Sequence, residues 1–145
     1  MSFHFPLAAV LVVRENARKR EEQALKKIQL EVASIANQVE EFDAKLAQVH
    51  ILREEALQAP IPAADLHSLQ HRLQSLAEAR KASVQRLQVL ERERDHQIEL
   101  YQAAYRDHET IVDMLNEQRD AHEQAQSRSE QRNLDDIFVA RRQRS

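Results

Sequence analysis

Glycine and cysteine are both absent from this 145-residue chain. Without glycine, no residue adopts a positive φ at low cost, which excludes P-loops, Rossmann turns and tight hairpins. Without cysteine, disulfides, thiolate nucleophiles and thiolate metal sites are excluded. Four Phe and two Tyr are the only aromatic residues. They are too few for the thick core of a globular domain of this size, so we expect a thin, aliphatic core.

The residue types that are abundant are those of a long helix. Ala, Glu, Lys, Leu and Arg make up about half of the chain, and 31% of its residues are charged, which is typical of a coiled coil. The net charge of −3 predicts no general attraction to nucleic acid or anionic lipid. Basic residues instead gather at the two ends, in the segments 14–20 and 141–144.

The three prolines, at positions 6, 60 and 62, divide the chain into helices. Because proline is excluded from helix interiors and forces the residue before it into an extended conformation, we expect a turn at about 60–64. Helix one is then predicted at about 6–59 and helix two at about 65–142. Asp65 is predicted to be the N-cap of helix two.

Apolar residues recur in both predicted helices with the spacing of a coiled coil. In helix one, eight consecutive positions of a three-four repeat are apolar: Leu25, Ile28, Val32, Ile35, Val39, Phe42, Leu46 and Val49. This repeat winds helices into a left-handed supercoil. Helix two carries a longer stripe: Leu66, Leu69, Leu73, Leu76, Val84, Leu87, Leu90, Ile98, Tyr101, Tyr105, Val112 and Leu115. Its spacing breaks at Arg80 and Arg94, where we expect stutters that locally unwind the supercoil.

The short proline turn predicts that the two stripes pack against each other. Residue i then lies opposite roughly residue 124 − i, and the end of helix two extends beyond helix one. The predicted fold is all-α: a long antiparallel two-helix coiled coil, or helical hairpin, with an overhanging C-terminal helix. We expect residues 1–145 to form this single domain and to be a monomer.

The apolar run from Phe5 to Val13 is too short to be a membrane span. Spanning needs about 18 residues, and the run lacks the basic start and cleavage site of a signal peptide. We therefore expect a mature, soluble chain that does not span a membrane. Because the run covers all sides of helix one, a single partner helix cannot bury it. It is a candidate binding surface.

Three other interpretations of the sequence are weak. His67 and His71 share a helix face, but no third ligand is fixed nearby, so we expect no metal and no cofactor. The basic segment 14–20 before a heptad repeat is similar to a basic leucine zipper, yet the chain supplies its own antiparallel partner, so we expect no nucleic-acid binding. Adjacent carboxylates such as Glu40 and Glu41 point apart on a helix and have no pocket, so we expect no enzyme.

The two ends of the chain carry motifs that one protein family shares. The chain opens with Phe3-His4-Phe5-Pro6-Leu7, which leads into Val10 to Glu15, and it closes with the acidic, apolar and arginine-rich segment Leu134 to Arg142. This opening and this close are similar to those of the flagellar export protein FliJ family, whose opening is also built from aromatic, leucine and arginine residues. Length, two unequal helices and a central turn also agree across the whole chain.

The resemblance implies a non-enzymatic component of flagellar type III protein export, acting in flagellum biogenesis and motility. Members act as a central stalk that inserts into the hexameric export ATPase, stimulates it and links it to the membrane export gate, with export chaperones as further partners. Such a protein is cytoplasmic and peripheral to the cytoplasmic face of the inner membrane. We predict two contact sets. The ATPase contacts are Leu7, Leu11, Arg14, Arg18, Ile137, Phe138, Arg141 and Arg142.

The second set is the contact with the cytoplasmic domain of the export gate: Leu69, Leu73, Leu76 and Arg80. Among these, Leu73 and Leu76 are also expected to pack in the seam between the helices. Two further functions stay open from the sequence. One is the stalk of a virulence-type III secretion system, and the other is a cytoplasmic coiled-coil adaptor unrelated to secretion.

Overall fold

The computed structural model describes residues 2–144 and contains no strand among them. Helix α1 spans Ala8–Leu57 and helix α2 spans Ala63–Arg144. The fold is all-α, an antiparallel helical hairpin of the coiled-coil type, as the sequence predicts. Helix α2 has 82 residues and α1 has 50, so α2 provides the overhang. No residue from 2 to 144 has a positive φ, in keeping with the absence of glycine.

The prolines determine where the helices end. The N–H of Gln58 donates to the carbonyl of Glu55 at 3.3 Å, so the last turn of α1 tightens before the helix stops at Leu57. Pro60 has no N–H to continue the ladder and holds Ala59 out of the helical region, which is why α1 ends before the expected residue 59.

The start of α2 corrects the prediction for Asp65. The carbonyl of Pro62 accepts hydrogen bonds from the N–H groups of Asp65, at 3.1 Å, and Leu66, at 3.3 Å. The carbonyl of Pro62 is therefore the first acceptor of the helical hydrogen bonds of α2. Asp65 lies in the first turn of the helix rather than at the N-cap. Its carboxylate still interacts favourably with the positive end of the helix dipole.

The chain divides into two compact units, each built from a piece of both helices. One unit comprises residues 21–100, which include the proline turn, and the other comprises residues 1–20 and 101–145. We call them the turn unit and the end unit.

In the turn unit, the two apolar stripes form the seam. All eight stripe residues of α1 are at least half-buried. Val49 of α1 and Leu90 of α2 are each only 1% exposed and are the two largest fully buried side chains that the structure describes. The three-four spacing puts one narrow stripe of each helix against the other, which is why so few residues are fully enclosed.

The seam of α2 contains no stutter, which corrects the expectation for Arg80 and Arg94. The residues of the turn unit that keep the three-four spacing are all at least half-buried, and they are Leu66, Leu69, Leu73, Leu76, Arg80, Ser83, Leu87, Leu90, Arg94 and Gln97. The repeat therefore continues without a break through polar positions. Long side chains such as arginine can cover a seam with their stems and keep their charged heads in water.

Polar contacts also join the helices within the turn unit. Gln97 is 9% exposed, and its amide donates to the carbonyl of Glu21 at 3.1 Å and to the carboxylate of Glu21 at 2.5 Å. Arg80 forms an ion pair with Asp43, one residue away from the opposite position that the pairing rule predicts. Both donors of the Gln97 amide are thus satisfied inside the seam.

In the end unit, the segment before α1 packs on α2. Phe5 is buried, with 7% of its surface exposed. The ring of Phe3 lies 5.5 Å from the ring of His122, and the guanidinium carbon of Arg119 lies 5.8 Å from the Phe3 centroid. These aromatic and cation–π contacts occur where the covered part of α2 ends.

The seam of α2 in the end unit also follows the repeat. The positions that keep the repeat and are half-buried include Tyr101, Ala104, His108, Ile111 and Leu115, and the predicted stripe residue Val112 beside them is half-buried as well. Tyr105, which the sequence pattern assigned to the stripe, is instead 45% exposed. The seven-residue repeat assigns the seam to Ala104 and His108, because they continue the spacing from Gln97 and Tyr101.

Candidate docking surfaces

Four of the predicted ATPase contacts lie on the seam side of the end unit, Leu7 just before α1 and Leu11, Arg14 and Arg18 on it. Leu7, Leu11 and Arg18 are half-buried. Arg14 is exposed, and its guanidinium donates to the carboxylate of Asp107 at 3.1 Å. Their positions repeat the three-four spacing of the α1 stripe, so part of each side chain faces α2.

The outer side of the same α1 segment is apolar and uncovered. Val12 is 56% exposed, Val13 is 65% exposed and Val10 is 37% exposed. A shallow groove is lined by Ala9, Val10, Val13 and Arg14. The apolar run thus covers several sides of the helix, as the sequence indicates, and the valines provide more accessible surface than Leu7 and Leu11.

The C-terminal part of α2 is an exposed stretch of helix. Every residue from Glu123 to Arg144 is exposed. Four large apolar side chains lie in this tail, and each has more than half of its surface exposed, namely Leu134 62%, Ile137 52%, Phe138 66% and Val139 52%. Apolar side chains gathered on an uncovered helix indicate a partner surface.

Most of these tail side chains share one face. A shallow groove is lined by Leu134, Asp135, Ile137, Phe138 and Arg141, which brings three of the predicted ATPase contacts together. Arg142 is exposed on the same tail. In the seven-residue repeat, the seam line of α2 continues through His122, Ala125 and Ser129. Leu134, Ile137 and Arg141 lie on the opposite side of the helix, so an extension of α1 would not cover them.

The predicted gate contacts lie in the seam of the turn unit. Leu69, Leu73 and Leu76 are half-buried, and so is Arg80, which pairs with Asp43. The apolar surface exposed near the proline turn belongs instead to α1: Ile51 57%, Leu52 42% and Leu57 55%. Helix α1 therefore presents the more accessible apolar side chains at this end of the seam.

Sequence patterns missed two groups of residues. Gln97 and Glu21 were missed because a polar residue at a seam position looks like a break in an apolar stripe. Phe3 and His122 come together from opposite ends of the chain. The sequence also predicts that Leu52 and Leu57 pack against the first leucines of α2, but they are 42% and 55% exposed, because the three-four spacing continues from Val49 through Arg53 and Ala56 instead.

No group of three or more His, Asp or Glu side chains between residues 2 and 144 is arranged to hold a metal ion. Over the same residues, neither helix is both long enough and apolar enough to cross a membrane. The surfaces that the fold offers are apolar and basic helix faces, which suit contacts with other proteins.

A hairpin with a thin seam and exposed apolar helix faces defines a coiled-coil protein. Comparison with protein families gives the particular family: the model described as Flagellar FliJ protein matches residues 3–145. The chain belongs to the flagellar FliJ family, a family of non-enzymatic export components, and is associated with flagellar type III export. No curated protein and no solved structure matches the chain.

Proposed function

We propose that this chain is the central stalk of the flagellar export ATPase. In this role it binds the hexameric ATPase through the end unit, stimulates ATP hydrolysis and links the ATPase to the cytoplasmic domain of the export gate. Export chaperones are further partners under this proposal. It would act in the cytoplasm, at the inner face of the inner membrane.

The exposed tail carries this proposal. Its groove combines the apolar side chains of Ile137 and Phe138 with the guanidinium of Arg141, and every residue from 123 to 144 is exposed. Phenylalanine and arginine are among the residue types enriched at the cores of protein interfaces. The uncovered valines of α1 lie in the same end unit and supply a second apolar surface.

Deleting residues 134–145 tests the ATPase contact. We expect the truncated chain to keep its hairpin, because the seam ends before the tail, but to lose stimulation of ATP hydrolysis by the cognate ATPase. Val139→Ala in the full chain serves as a milder control, since Val139 lies outside the groove. Full stimulation by a truncated chain with native helicity would exclude the tail as the contact.

The α1 side of the end unit is tested separately. Val13→Asp places a charge on the most exposed valine of the run without entering the seam, whereas Leu11→Asp places one inside it. If the ATPase binds the outer side of α1, Val13→Asp lowers ATPase affinity at unchanged thermal stability. If only Leu11→Asp has an effect, and it also lowers the melting temperature, the outer side of α1 is not a contact.

The gate contact is proposed at the turn unit, on Leu69, Leu73, Leu76 and Arg80. Because these leucines are half-buried in the seam, their triple alanine variant is compared with Ile51→Ala, Leu52→Ala on the exposed side of α1. Loss of gate binding in the triple variant at unchanged helicity supports the α2 face. Loss in the α1 variant alone would move the contact to α1.

A further inference from the structure

The tail of α2 carries a second seven-residue repeat whose charges change sign along the helix. Its positions have a four-three spacing on the side opposite the seam line, and all are exposed. In chain order they are Glu123, Ser127, Glu130, Leu134, Ile137, Arg141 and Arg144. The face thus begins acidic, is apolar in the middle and ends basic. We call it the tail face.

A face with this order is complementary to itself in an antiparallel arrangement. When two copies meet with Leu134 of each opposite Ile137 of the other, the same spacing puts Glu130 of each opposite Arg141 of the other. Both contacts then occur twice, as a two-fold interface requires. A parallel arrangement would instead oppose Arg141 to Arg141 and Glu130 to Glu130, which is repulsive.

We propose that the tail face pairs with the tail face of a second copy of this chain as a short antiparallel coiled coil. Leu134 and Ile137 form its apolar centre, and the Glu130–Arg141 pairs set its direction. Residues 123–144 span about 33 Å of helix, and the contact uses only the middle of this length. The pairing is therefore weak and concentration-dependent, like other interfaces that bury less than about 1,200 Å².

This pairing has a consequence that rests on the proposed function. Ile137 and Arg141 are also predicted ATPase contacts, so a paired tail cannot bind the ATPase at the same time. Self-pairing would cover the apolar tail while no ATPase is available, and the ATPase would displace the second copy. The sequence predicts a monomer because the two helices of one chain pair with each other in the seam. That pairing does not involve the tail face, which stays available to a second copy.

Charge reversal tests the pairing, with sedimentation equilibrium of the full-length chain over a wide concentration range as the measurement. We expect the unmodified chain to form dimers as its concentration rises. Glu130→Arg and Arg141→Glu should each weaken dimerisation by about tenfold, because two attractive contacts become repulsive in each dimer. Mixing the two variants should restore association, since Glu130 of one then meets Arg141 of the other and the two reversed residues meet each other.

Ile137→Ala and Val139→Ala form a matched control, because both side chains are 52% exposed but only Ile137 lies on the tail face. The first should weaken dimerisation and the second should not, at equal helicity by circular dichroism. A chain that stays monomeric at every concentration, or a mixture of the charge variants that associates no better than either alone, would overturn the inference. ATPase stimulation is measured in parallel: its loss on deleting residues 134–145, without any self-association, would reject the pairing and leave the proposed function standing.

Discussion

Adjacent residues of α2 differ sharply in their contribution to the fold. Leu90 is 1% exposed, whereas its neighbour Val89 is 40% exposed. Consecutive side chains on a helix point about 100° apart, and the seam is only one stripe wide. Burial therefore changes from almost complete to slight within a single residue.

This contrast in burial predicts different effects when each of the two side chains is shortened to alanine. Leu90→Ala should lower the free energy of unfolding by about 2–5 kcal/mol, because it removes buried methyl groups and leaves a cavity. Val89→Ala should change it by less than about 0.5 kcal/mol, as is usual for surface positions. Urea denaturation followed at 222 nm measures both. Similar losses in the two variants would contradict a single narrow seam.

Among the polar side chains that the structure describes in the seam, Gln97 is the one that is buried, with 9% of its surface exposed. Gln97→Ala removes both hydrogen bonds to Glu21, one of which involves a carboxylate. We expect the free energy of unfolding to fall by about 1–2 kcal/mol. Gln85→Ala, at an exposed position of the same helix, corrects for the difference in helix propensity. If both variants have the same stability, the Gln97 contact contributes nothing to the fold.

At the level of elements, α2 combines a supported and an unsupported segment in one helix. Up to His122 most seam positions of α2 are at least half-buried, whereas every residue from Glu123 to Arg144 is exposed. In proteins, most of the stability of a helix comes from tertiary packing of one of its faces, and the exposed tail lies beyond the seam. The tail should therefore open more often than the rest of α2.

Limited proteolysis with trypsin measures this difference. We expect the first cuts at Arg128, Arg132 and Arg141, because local opening exposes their peptide bonds. Arg72 and Arg92 are also exposed but belong to the supported segment, so they serve as internal controls. Cleavage at Arg72 or Arg92 as early as in the tail, identified by mass spectrometry, would show that the tail is no less stable than the hairpin.

For the whole molecule, the exposed area is large for the mass. A globular protein of 16.9 kDa exposes about 7,700 Å² by the general scaling of area with mass. This chain exposes 11299 Å². Since the unfolded chain exposes about 24,500 Å², folding removes only about half of that area from water, where a globular protein removes about two thirds.

The small area buried on folding predicts that the free energy of unfolding depends only weakly on denaturant concentration. The slope of unfolding free energy against urea concentration scales with the area exposed on unfolding. We expect this slope to be about one fifth below that of a globular protein of the same length. The heat-capacity change of unfolding should also be smaller than that of such a protein. Urea titration and calorimetry measure the two quantities. Values equal to those of globular proteins would mean that more surface is buried in solution, for example by self-association.

The sequence by itself was sufficient for the helical hairpin. The absence of glycine, the prolines at 60 and 62 and the three-four stripe of α1 are local signals, and each acts within a few residues of its own position. The alternation of apolar and charged residues predicts a narrow seam because a helix repeats its faces at a constant spacing. Family resemblance likewise depended on short segments at the two ends.

Only the tertiary structure decided which side chains the seam includes. Arg80, Arg94 and Gln97 look like breaks in an apolar stripe, but the partner helix supplies Asp43 and Glu21 to two of them. The same pairing buries part of Leu69 while it leaves Ile51 exposed. The physical reason is that burial and hydrogen bonding depend on what the opposite helix presents, and that partner is distant in the sequence.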